Sequence, residues 1–147
     1  MPFPHQPSPC QPVISTLFAG CQLWVKRDDL LHADVSGNKF RKLKYPLLAL
    51  RDRRATLVTM GGPWSNHLHA LAHAGARLGW PTMGLVRGAE GVTTATLDDC
   101  RRLGMQIAFV SREDYRALRE HPEQWRRHVI DLDVNTDDSP VWLPEGG

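Results

Sequence analysis

From Thr56 onward the sequence alternates short apolar runs with longer stretches at helical spacing, and this rhythm restricts the fold more than any other feature. Residues 56–60 (Thr-Leu-Val-Thr-Met) are a buried-strand candidate that Gly61, Gly62 and Pro63 interrupt. Residues 68–78 predict an alanine-rich helix with Gly79 as its stop. A second strand is predicted over 82–86, a second helix over 93–103 ending at Gly104, and a third strand over 106–110. Ser111 predicts the cap of a third helix running through residue 119. Strands separated by helices of this length pair in parallel under helical cover, so the predicted fold class is α/β, a parallel sheet with flanking helices.

The flanks are patterned more weakly. Pro2, Pro4, Pro7, Pro9 and Pro12 fix φ and remove donors, so residues 1–13 predict an extended arm. Residues 23–26 predict a short strand, closed by the polar Arg27, Asp28 and Asp29. Ser36 predicts a helix cap, after which Phe40, Leu43, Leu47, Leu48 and Leu50 follow Lys39 at near-helical spacing. Pro46 falls inside that pattern and predicts a kink or an early end. Residues 121–140 are polar with Pro122 as a helix start, and 141–143 predict one more strand.

Composition excludes several classes. The 147 residues fit one domain and part of a second, at the usual ~100–200 residues per domain. Lys+Arg 18 against Asp+Glu 16 leaves a formal net charge of +2, and the arginines are scattered, so no nucleic-acid surface is expected. Apolar runs fall far short of the ~20 residues that span a bilayer, so no membrane insertion is expected, and no secretory leader pattern opens the chain. Cys10, Cys21 and Cys100 are odd in number, widely spaced and without Cys-x-x-Cys. That argues against a disulfide framework and a four-thiolate zinc site, and for a reducing cytoplasm.

Three places could carry chemistry. In Ser36-Gly37-Asn38-Lys39-Phe40-Arg41-Lys42-Leu43, glycine allows close backbone approach and Lys39 falls in the first helical turn. A positive charge there opposes the helix dipole and favours the free amine that Schiff-base chemistry needs; the same residues also read as a solvated basic helix start. Gly61-Gly62-Pro63-Trp64-Ser65-Asn66-His67 lies between a strand and a helix, at the strand end where parallel sheets bind ligands. Free N–H groups at the helix start suit a phosphate or carboxylate, with Ser65 and Asn66 beside them, though either residue also reads as a plain N-cap. His69 and His73 are four apart on one helix face, a zinc-chelating spacing. Ala70 stands where a His-Glu-x-x-His motif has glutamate and no third ligand is evident, so no metal is expected and these are read as helix-surface or packing histidines. Trp64 and Trp142 are read as packing residues, and Asp28 and Asp29 as strand-end caps.

Taken in order, residues 25–29 (Val-Lys-Arg-Asp-Asp), the Ser36–Leu43 motif and the Gly61–His67 motif resemble one family. It comprises the pyridoxal-phosphate (PLP) enzymes of the 1-aminocyclopropane-1-carboxylate deaminase and D-cysteine desulfhydrase type. Residues 144–147 resemble its later Pro-x-Gly-Gly segment, so the likeness runs from near residue 17 to residue 147. The resemblance implies a tryptophan-synthase-β-like fold (PLP fold type II). It implies that Lys39 holds PLP as a Schiff base and moves protons at the substrate carbon, that Asn66 hydrogen-bonds the ring hydroxyl, and that Ser65 stands beside the substrate. The Ser65-Asn66-His67 loop would receive the substrate carboxylate. The implied reaction breaks a small amino acid, D-cysteine or 1-aminocyclopropane-1-carboxylate, down to a 2-oxo acid and ammonia.

Two departures stand out. Trp64 replaces the usual glutamine and His69 a frequent arginine. Family members are also much longer, with the Gly-rich phosphate cradle, the partner of the pyridine nitrogen and a catalytic tyrosine in their second half. The chain is therefore expected to be an N-terminal half, weakly active or inactive alone, with PLP binding compromised by the missing phosphate loop. Residues 1–50 would be part of a larger domain, 51–135 a smaller α/β domain, and 136–147 a return strand into the larger one. A homo-oligomer or a complementing C-terminal half is the expected partner. Two other readings stay open: a non-catalytic remnant or subunit, and a small-anion binding domain using only the helix start at Ser65.

Overall fold

The computed structural model describes residues 5–35, 37–129 and 140–145. Its elements are β1 (Cys10–Val13), β2 (Leu23–Lys26), α1 (Gly37–Ala49), β3 (Leu57–Gly61), α2 (Asn66–Leu78), β4 (Thr82–Arg87), α3 (Ala95–Arg102), β5 (Met105–Val110), α4 (Arg112–Glu120) and β6 (Val141–Trp142). The expectations for Ser36, Pro2, Pro4, Gly146 and Gly147 lie outside the described residues.

β5, β4, β3 and β6 form a parallel sheet in that order. Period-two alternation splits its side chains between two cores. Leu57 and Val86 face Leu43 and Leu47 of α1, Leu68 and Leu71 of α2, and Leu97 of α3. Val58, Met60, Met83 and Leu85 face Tyr115 and Leu118 of α4, together with Trp125 from a 3-10 turn at Pro122–His128. Helices thus cover both faces, which is why β3 and β4 read as nearly continuous apolar runs. α2 lies close on the sheet because Gly75 carries no side chain: a Cβ there would stand 2.2 Å from Thr82 Cγ2.

Capping follows the sequence. Ser111 accepts from Asp114 N at 3.0 Å, and Thr94 caps α3 by accepting from Leu97 N at 3.2 Å. Three features go beyond the sequence pattern. The end of the proline-rich arm is a strand: Cys10–Val13 pairs antiparallel with Leu23–Lys26, Pro12 opposite Trp24. In a two-stranded ribbon every strand is an edge, where proline's missing N–H does no harm. Pro46 does not end α1, which continues to Ala49. β6 pairs with Leu57 and Val58 of β3, so residues 141–142 join the same sheet as β4 and β5. No helix among the described residues is long and apolar enough to cross a membrane.

Candidate active site

The site grows from the end of β3. The chain leaves the sheet at Gly61, turns, and enters α2 at Asn66. Ser65 Oγ accepts from His67 N at 3.2 Å and from Leu68 N at 3.3 Å, satisfying two of the helix's free donors. This brings Ser65 hard against the strand end, where a Cβ on residue 61 would lie 2.6 Å from Ser65 Oγ. Ser65 is therefore an N-cap in the fold. A hydroxyl that accepts in this way still has its own proton to donate.

α1 supplies the opposite wall. Lys39, half-buried in its first turn, lines a cleft of about 370 Å³ with Asn38, Asp34, Asn66 and His69. Lys39 and Asn66 come from different helices and meet on this one cleft. Asn66 is exposed at the first position of α2.

His67 is placed elsewhere. It lines a separate cavity of about 240 Å³ with Lys42, Pro46 and Leu143. The ring is 3% exposed, and neither nitrogen has a hydrogen-bond partner among the described residues. Burial, and then the nearby charges of Lys39 and Lys42, push its pKa down to about 4. It is a neutral imidazole at neutral pH.

Sequence reading missed what holds α1 in place. Asp28 is an anchor and not a strand-end cap: Arg41 Nη2 donates to its Oδ1 at 2.8 Å, Arg41 Nε binds Oδ2, and Ser8 Oγ donates to Oδ1 at 2.6 Å. Asp29 pairs with Arg27 at 2.7 Å. The acidic pair just before a basic helix was the available signal, but no periodicity links positions 28 and 41. Trp64, read as a packing residue, is 68% exposed. Trp142 does pack, stacking on Trp125 with centroids 5.9 Å apart.

No family model matches the chain. A Thermotoga maritima protein provisionally described as a 1-aminocyclopropane-1-carboxylate deaminase is 40% identical over 102 residues, covering 69% of this chain and 33% of that protein. The bifunctional D-cysteine desulfhydrase/1-aminocyclopropane-1-carboxylate deaminase of Arabidopsis thaliana, a mitochondrial protein, is 33% identical over 107 residues, covering 67% of this chain and 26% of its own. A crystal structure described as an ACC deaminase homologue superposes with a TM-score of 0.67 at 27% identity, over 97% of this chain and 43% of that one. The sheet and its flanking helices have the PLP fold type II architecture. The chain spans about a third of the length of the curated relatives it matches.

Proposed function

We propose that this chain, a homologue of the 1-aminocyclopropane-1-carboxylate deaminases and D-cysteine desulfhydrases, carries the lysine side of a PLP-dependent site that breaks down a small amino acid to a 2-oxo acid and ammonia. The observation that carries this reading is the meeting of Lys39 and Asn66 on one cleft. The donor set fits the cofactor. A primary amine suits its aldehyde, and an exposed carboxamide suits its ring hydroxyl. When bound, PLP supplies an electron sink for charge developing at the substrate carbon.

The chain's own groups then take these roles. Lys39 would hold the cofactor through its amine, and the same amine would move a proton at the substrate carbon. Asn66 orients the ring through its hydroxyl. Ser65, whose oxygen is occupied by two backbone N–H groups, donates its remaining proton to the substrate carboxylate. The cap bonds fix the Ser65 side chain at the start of α2, next to Asn66. His67 adds a buried neutral wall behind this loop. Of the three loop residues assigned to the carboxylate, it is the one whose ring lines the neighbouring cavity.

Residues 1–50 contribute to a larger domain, and 51–135 with the β6 strand form the smaller one. A second copy or a complementing chain covers the exposed Ile14, Leu17 and Trp24, and the phosphate-binding loop comes from the complementing chain. The setting is the cytoplasm, the substrate D-cysteine or 1-aminocyclopropane-1-carboxylate, and turnover by these 147 residues alone is weak or nil. A visible-absorbance titration with PLP tests the reading. A saturable band lost in Lys39→Ala and weakened in Asn66→Ala supports it. Phosphate binding at α2 that ignores Lys39→Ala, with no such band, would replace it with an anion-binding domain.

A further inference from the structure

We propose that His69, His73 and Asp99 form a binding site for a divalent transition-metal ion of the zinc type, clipping α2 to α3. The sequence offered two histidines four apart and no third ligand. The fold supplies the third from another helix: α3 packs along α2 and brings Asp99 Oδ2 to 2.9 Å from His69 Nε2. One ligand atom from each of the three side chains lies within 4.8 Å of the others. The imidazole rings of His69 and His73 meet edge to face with centroids 4.5 Å apart.

These separations suit a small tetrahedral ion. Zinc–ligand bonds of ~2.0–2.1 Å place neighbouring ligand atoms about 3.3 Å apart. The His69–Asp99 pair must open by a few tenths of an ångström and His73 swing inward, which partly exposed side chains do by rotamer adjustment alone. Two imidazoles and one carboxylate select zinc, cobalt or nickel over magnesium or calcium. Water would complete the coordination, since the three residues are only partly buried.

The surroundings hold the ligands in place. Arg102 Nη2 sits 2.5 Å from Asp99 Oδ1 and so fixes the carboxylate through that oxygen, while Oδ2, which now meets His69 Nε2, faces the two imidazoles. Asp34 Oδ2 stands 3.9 Å from His73 Nδ1 and is itself tied to Arg77 at 2.8 Å. A carboxylate beside a ligating histidine is the usual outer support of such sites. The alternative is a plain His69–Asp99 hydrogen bond joining two helices, with His73 a bystander.

Zinc chloride titrated into the full chain, its exposed thiols first alkylated, separates the two. The proposal expects one ion per chain with a dissociation constant below about 100 µM. His73→Gln and Asp99→Asn, each preserving shape, should weaken it at least about tenfold. Metal-free melting curves of both variants close to the parent's show that the loss is not one of folding. Cobalt in place of zinc should give a visible d–d spectrum that His73→Gln abolishes. Absence of binding in that range, or affinity unchanged in either variant, overturns the proposal. The readout needs no PLP and no catalytic activity.

Discussion

Arg41 Nη2 donates to Asp28 Oδ1 at 2.8 Å while its Nε binds the other carboxylate oxygen, so a short turn before α1 holds the helix that carries Lys39 two residues away. Hydrogen bonds from Arg41 and then Ser8 keep the Asp28 carboxyl well below the usual carboxylate range, so the pair stays ionised into acid. Neither residue belongs to the buried cores. Asp28→Asn and Arg41→Ala are therefore expected to leave the melting temperature nearly unchanged and to weaken PLP capture at Lys39 severalfold. A large fall in melting temperature with unaltered PLP capture would show that the pair serves folding and not the site.

His67 makes stability depend on pH. Its folded value of about 4 lies below the ordinary histidine value, so the unfolded chain takes up the proton first. The contribution is fully present above about pH 6.5 and is lost as pH falls towards 4, by about 3 kcal/mol at most. Urea unfolding at about pH 7.5 and pH 4.5 reads it. The parent should lose more stability over that interval than His67→Leu, which has no proton to take up. Equal losses would mean the imidazole finds a partner when charged.

Gly61 and Ser65 are expected to behave as a coupled pair. A methyl on residue 61 would stand 2.6 Å from Ser65 Oγ, so Gly61→Ala must push the cap out of place, at about 1–3 kcal/mol. Ser65→Gly removes the cap bonds to His67 and Leu68 at about 0.5 kcal/mol. Two of the three close approaches a Cβ at residue 61 would make are to the Ser65 side chain, the third being Leu68 Cγ at 2.9 Å, so the double variant Gly61→Ala, Ser65→Gly should cost less than the sum of the two single changes. Additive costs in thermal melts would show that the strand end relaxes independently of the cap.

The three thiols should separate cleanly. Cys10 and Cys21 are exposed, whereas Cys100 sits on the buried face of α3, and burial pushes its thiol up to about 11. An aromatic disulfide reagent is expected to label two thiols quickly and the third only on unfolding. Three fast reactions would contradict the packing of α3 on the sheet.

Much of the sheet and its helices was legible because each signal was local. Ser111 as a cap, Gly79 as a stop and the apolar run over 56–60 need only their neighbours to be read. β1 was not legible, since Cys-Gln-Pro-Val has no alternation and its strand character comes from β2. β6 was visible as a strand, but its place beside β3 rests on hydrogen bonds to Thr56 and Val58, far away in sequence. The same holds for Asp28 with Arg41 and for Asp99 with His69, which sit 13 and 30 residues apart. Motif order marked Lys39 and Asn66, but only packing puts them on one cleft and turns His67 to another.

The most direct test of the account is to incubate the chain with PLP, reduce with borohydride to fix the cofactor to whichever amine holds it, and map the label by peptide mass spectrometry. Lysine occurs only at positions 26, 39, 42 and 44. Label is expected to concentrate on Lys39 and to diminish when Asn66 becomes alanine. Label spread over Lys26, Lys42 and Lys44 as much as Lys39 would contradict it, for the cleft shared by Lys39 and Asn66 would then select nothing.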